Sequence, residues 1–448
     1  MIIKSKLKLC LLMSTVLFGA VMMLEKEAHA VAYTWNGSVN NTWENASNWT
    51  PGTGPPGSGD SATIDLAAAN VTIAGTTTVS KLTIGGINTS TLTLGGNDLN
   101  VTYVDVTYNG DLTIGTNGTL DASTGTPIIT VAGSWDSSGG TFTIGTSTLV
   151  MTGTSNTLTT VDTSIVIFYN LTINAGASIT LSSSFAVRGL LAISGTLTVP
   201  TGKTLGSSTA PNNLTVNAGG ELTGLGTFYK MVFDGKNHIT NDGTISINTF
   251  EYRLAWGSVA APVTATTYEG NLVIREYDLN QSSIGLLGGG TGTLVVNGNL
   301  TLQHSNSPTY SVTLDSSSLP VDINGDVTIA SGGIIDADTS SWTVSGNWVN
   351  SDTFTAGTST VAFNGTVAQA ITSGGDSFYD LTISNTSDIV SLADDLSLLA
   401  GGALTINAGA TLDLNGNNLT VPTTFNNNGT LQLEGGETVS APVNGSGS

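Results

Sequence analysis

The sequence predicts an all-β protein, a β-solenoid of short stacked strands closed at its N-terminal end by a Trp-rich segment. Three observations carry this reading. A Leu-Thr unit followed by Ile, Val or Leu recurs ten times between Leu82 and Leu419. A block of about 40 residues, VAGSWDSSGGTFTIGTSTLVMTG through FYNLTI, returns as VSGNWVNSDTFTAGTSTVAFNG through FYDLTI, with Trp135 and Trp348 in matching places. No stretch after Leu24 combines helical periodicity with caps.

Residues 1–30 have the pattern of a secretory signal. Lys4, Lys6 and Lys8 give the basic start, Leu9 to Leu24 the apolar stretch, and Ala28-His29-Ala30 the small-residue cleavage site. An apolar run of 16 residues is short for a bilayer span, which needs about 20. The expected mature chain starts at Val31, contains no Cys once Cys10 is removed, and does not insert into a membrane. Four of the 11 basic and two of the 32 acidic side chains leave with the signal, so the mature part keeps 7 against 30. Such acidity excludes a nucleic-acid binder, because a polyanion needs a basic face. Only 10% of residues are charged and 39% are apolar, the reverse of a disordered chain.

Residues 31–66 supply the expected cap. Trp35, Trp43 and Trp49 lie here, with Pro51, Pro55 and Pro56, which cannot extend a ladder. An open coil end exposes unpaired N–H and C=O groups, and an aromatic lid covers them. The competing reading makes the three Trp a sugar-stacking platform.

Residues 67–228 and 293–448 read as the solenoid itself. Each Leu-Thr unit is a short strand of period two, with Leu and Ile or Val facing inward and Thr outward, and Gly or Asn nearby for the turns. A string of β-sandwiches is the alternative, but strands of three to five residues are too short for most sandwiches. Coils of about 20 to 25 residues are expected, varying in length.

Residues 229–292 break the pattern and are read as an irregular coil or lateral excursion. Four of the seven mature basic residues, Lys230, Lys236, Arg253 and Arg275, fall within 46 positions. The candidate ligand-binding residues are Lys230, Asp234, Glu251, Arg253 and Trp256. One reading is a carbohydrate site in which Trp256 or a Tyr stacks on a sugar ring, Arg253 and Lys230 contact acidic or hydroxyl groups, and Asp234 with Glu251 performs hydrolysis or proton abstraction. The other is an irregular coil whose charges pair with each other.

No catalytic set is expected elsewhere. The mature chain has only His238 and His304 and no G-x-S-x-G, and Gly59-Asp60-Ser61 is part of the N-terminal segment. No metal or cofactor is expected. Asp322, Asn324 and Asp326 offer oxygens to calcium but lack the form of an EF-hand loop.

The W-x-G-x(5)-W-x(5)-W spacing of Trp35, Gly37, Trp43 and Trp49, followed by PGSGDSATI, resembles the N-terminal segment of large bacterial surface β-helix proteins of autotransporter-passenger-like and adhesin-like type. The block SGNWVNSDTFTAGTSTVAFNGTVAQAI with FYDLTISNT resembles repeats of the same proteins. The resemblance implies a right-handed parallel β-helix, secreted or displayed at the cell surface, with an adhesive or scaffolding role and carbohydrate or other surface ligands as partners. A polysaccharide-active lyase or hydrolase, or a carbohydrate-binding module, is the alternative. The closing ETVSAPVNGSGS shows no barrel, sorting motif or cap, so the expectation is an anchor on another protein, a released product or a fragment of something longer, the missing cap favouring the fragment.

Overall fold

A computed structural model describes residues 30–161, 166–206, 213–233, 239–255, 267–276, 284–286, 292–304 and 311–442. The chain is all-β, 1% helical, and winds as a β-solenoid of about 15 turns. At roughly 4.8 Å per turn the stack is about 70 Å long.

One parallel ladder runs almost the full length. It starts at Ala32–Trp35 and Ser61–Ile64, passes through Lys81–Ile84, Leu112–Ile114 and Trp135–Asp136, and continues through Ser341–Val344 to Thr424–Asn427. A second ladder starts at Thr204–Leu205 and ends at Thr430–Gln432. A third runs from Thr77–Val79 to Ile239–Asn241. Each turn therefore adds one strand to several faces, and the apolar side chains of successive strands meet inside.

All ten Leu-Thr units behave alike. Leu82 and Ile84, Leu171 and Ile173, and Leu381 and Ile383 are fully buried, while the Thr between each pair faces outward and is partly exposed. Burying one such Leu or Ile stabilises by about 1.5–3 kcal/mol. Identical types stack in register, as in Leu82 opposite Leu112 and Leu381 opposite Leu404.

Turn length varies because loops absorb the difference at the corners. Leu112 follows Leu82 by 30 residues in the ladder, whereas Leu197 follows Ile179 by 18. The longer turn holds a small hairpin in which Tyr103 and Asn109 form an antiparallel bridge and Asp105 caps Thr107 and Tyr108.

One corner is built by the sequence Gly-Asn or Gly-Asp before an apolar residue. Asn271 Oδ1 accepts from Asn299 N at 2.9 Å, Asn299 Oδ1 from Asp326 N at 2.9 Å, Asp326 Oδ1 from Asn347 N at 2.7 Å, and Asn347 Oδ1 from Ala370 N at 2.8 Å. Each side chain thus satisfies a backbone donor one turn further on, a group the ladder leaves open where the chain bends. The preceding Gly lets the turns approach: a Cβ on Gly325 would sit 2.6 Å from the carbonyl oxygen of Gly298.

The Trp-rich segment closes the first turn. Trp49–Thr50 pairs antiparallel with Ala32–Trp35, the one described strand pairing between named strands that reverses direction. Trp35 and Trp49 pack edge to face at 5.0 Å, Trp43 and Trp49 at 4.6 Å, and Trp49 Nε1 donates to the Trp43 carbonyl. Asn48, fully buried, accepts from Val39 N and Asn40 N and donates to Asn40 and Thr42. All three indoles are at most 3% exposed, so none offers a free ring face to a sugar. Asp60 is also structural, accepting from Val31 N and Gly57 N.

The repeated block has a common interior. Trp135, Phe142 and Phe168 form an aromatic triad with ring centroids 5.0 to 5.9 Å apart, and Trp348, Phe354 and Phe378 form its counterpart at 4.9 to 5.5 Å. The two copies occupy different faces. Trp135 pairs with Leu112 and Leu158 in the first ladder, whereas Trp348 pairs with Val327 and Ile371 in the second.

Candidate functional site

Within residues 229–292 the described parts are ladder strands, including the two longest of the described chain, Glu221–Phe233 and Thr244–Ala255. They span two faces, with a register shift between Gly224 and Thr227 where the strand crosses the corner. Beyond that corner Phe228, Phe250, Leu272 and Leu300 stack inward. Tyr229, Glu251, Val273 and Thr301 form one outward row, and Arg253, Arg275 and Gln303 the next.

Glu251 belongs to an outward row yet is only 6% exposed. Arg253 Nε donates to Glu251 Oε1 at 2.8 Å, and Arg275 Nε lies 3.2 Å from the same oxygen. The Arg253 guanidinium sits over the Tyr229 ring, 3.4 Å from its centre, an attraction between cation and ring face that fixes its plane. The Arg275 Nε is buried and has no hydrogen-bond partner, and about a third of that side chain is exposed.

On the inner side of the same strands, Tyr252 and Tyr268 are buried with their hydroxyls 2.8 Å apart. Burial pushes both phenols above their ordinary range, since the anion would have to form in an apolar interior. At the corner before these strands, a cleft of about 360 Å³ is lined by Asn241, Asp242, Gly243, Thr244, Ile245, Thr267 and Glu269. Glu269 is held there by Asn297 Nδ2 at 2.6 Å.

Of the five ligand-binding candidates, the structure brings Glu251 and Arg253 together. Lys230 takes the register position opposite Tyr252. Asp234 and Trp256 lie outside the described residues, as do residues 1–29 of the expected signal. Tyr229 and Arg275 complete the cluster and were not singled out as site residues. Their signal was spacing: Tyr229 precedes Glu251, and Arg253 precedes Arg275, by 22 residues, one turn of this solenoid.

The acidic turn considered for calcium is used by the fold. Asp322 accepts from Thr343 Oγ1, Asn324 donates to Asn297, and Asp326 accepts from Asn347 N. Among the described residues no group of three or more His, Cys, Asp or Glu is placed to hold a metal, and no helix is long and apolar enough to cross a membrane. No protein-family model, curated protein or solved structure matches the chain.

Proposed function

We propose that the protein is a secreted or cell-surface bacterial β-solenoid of adhesin-like or scaffolding type that works by display and not by turnover. The observation that carries this reading is the division of most described strands: an apolar interior, and outside it rows of Thr, Asn and Asp fixed at the spacing of the turns. A stiff rod of this kind presents many weak contacts at set intervals, and multivalency converts them into firm attachment. The Trp-rich lid supports the same reading, because a rod exposed to other proteins needs its ladder end covered.

The buried position of Glu251 speaks against hydrolysis. A general acid or nucleophile must reach its substrate, whereas this carboxylate is held by two guanidinium groups on the outer face. The test has two arms. The protein on intact cells is expected to be removed by added protease, and purified mature protein is expected to release no reducing ends or unsaturated products from a polysaccharide panel. Recovery only in the cytoplasmic fraction overturns the surface role, and turnover abolished by Glu251→Ala overturns the non-enzymatic one.

A further inference from the structure

We propose that Asp60 is the seat for the α-ammonium group that a cut between Ala30 and Val31 creates on Val31, and that this ion pair locks the Trp-rich lid once residues 1–30 are gone. The inference deepens the secreted reading and rests on it for the cut, which the small-residue pattern Ala28-His29-Ala30 places there. The position of Val31 is the first argument. Its backbone nitrogen lies 2.8 Å from Asp60 Oδ1 and donates to it. In the uncut chain that nitrogen is a neutral amide. After the cut the same atom carries a positive charge, and it already stands at the carboxylate. An ammonium and a carboxylate in contact add a charge–charge attraction to the hydrogen bond that is there.

The second argument is that Asp60 is held ready without a cation of its own. Its two carboxylate oxygens accept from Val31 N and Gly57 N, both backbone donors, and among the described residues no Lys, Arg or His pairs with it. Its main chain is fixed from both sides. Asp60 N donates to the Gly57 carbonyl at 2.9 Å, while Ser80 N and Ser80 Oγ, one turn further on, donate to the Asp60 carbonyl at 2.7 Å each. Both Val31 and Asp60 are half-buried, and a pair in that position is screened less than one in open solvent.

The third argument is how little the cut removes. Val31 already belongs to the ladder, because Ser61 N donates to its carbonyl at 3.0 Å and the strand Ala32–Trp35 follows directly. The bond from the Tyr108 hydroxyl to the Ala30 carbonyl, 3.1 Å, goes with Ala30, and water replaces it at that partly exposed position. A cut one residue away would set the charge off Asp60 by roughly 3.4 Å, the rise of one strand residue.

Four forms of the mature chain test the lock, each released from a fusion partner whose removal leaves the stated first residue: one starting at Val31, one with a Gly added before Val31, and the Asp60→Asn variant of both. The added Gly keeps the Val31 N–H facing Asp60 and carries the charge one residue outward. At neutral pH and low salt, hydrogen exchange across residues 31–64 is expected to be about fivefold faster with the Gly than without it, and to differ by less than about twofold between the two Asp60→Asn forms. Equal exchange with and without the Gly, or the same acceleration in both backgrounds, overturns the lock. If Asp60→Asn fails to fold, the acylation rate of the α-amine takes its place: Val31 is expected to react about fivefold more slowly than the added Gly, and equal rates overturn the pair. N-terminal sequencing of the exported protein is expected to read Val31 first, and another first residue overturns the assignment. A chain that keeps residues 1–30 inside the cell sinks the secreted reading, whereas the purified forms still decide the seat.

Discussion

The Glu251 carboxylate shows how a solenoid turns sequence spacing into chemistry. Alone, a carboxylate at 6% exposure would pay a heavy desolvation cost; with Arg253 bonded and Arg275 alongside, it is stable where it sits. Replacing it by Ala leaves two guanidinium groups facing each other without their shared anion. Glu251→Ala is expected to lower unfolding stability by about 2 kcal/mol in urea titrations, while Glu251→Gln, which keeps a hydrogen-bond acceptor, costs less. The Tyr252–Tyr268 pair sets a pH limit. Both phenols ionise with more difficulty in the folded chain than in the unfolded one, so their stabilising effect is complete below about pH 10, where unfolded Tyr titrates, and is lost as pH rises beyond it. Urea midpoints are expected to fall between pH 10 and 11.5, and less steeply in the double variant Tyr252→Phe, Tyr268→Phe. At this scale the sequence revealed half of the site. Glu251 and Arg253 stood out as charges in a chain poor in them, but Arg275 and Tyr229 join them only through ladder register, which depends on the exact length of each turn.

Single strands were the most legible elements. The Leu-Thr units announce themselves by alternation, and every one places its apolar residues inside. The long strands Glu221–Phe233 and Thr244–Ala255 were not legible, because Gly224 and Gly226 read as turn signals whereas the chain continues extended around the corner. Nor does the sequence say which strand lies on which face, since all faces ask for the same apolar-polar alternation. The Gly-Asn corner gives a test at this scale. Gly325→Ala would press a methyl group against the Gly298 carbonyl and the Asn299 side chain of the turn before, and is expected to cost about 1–3 kcal/mol. Asn299→Ala removes only the partner of Asp326 N at an exposed corner, and is expected to cost about 1 kcal/mol. Thermal melts of the two variants should rank in that order; a milder effect for Gly325→Ala would mean that the turns are less closely stacked.

In a stack where each turn touches mainly its neighbours, damage stays local. Phe378→Ala empties one corner of the triad shared with Trp348 and Phe354, and is expected to cost about 3–5 kcal/mol. Hydrogen exchange should then accelerate across residues 340–405 and remain unchanged before residue 200. Loss of protection along the entire chain would instead indicate one cooperative unit. The triads also explain why the duplicated block was visible in the sequence: Trp and Phe fill the same interior volume in both copies. Its displacement to another face was invisible, because the intervening turns do not divide the separation of Trp135 and Trp348 into whole revolutions.

That displacement has a geometric result. Two outward surfaces with nearly the same wording look in different directions from one shaft, so when either lies flush with a wall the other points away from it.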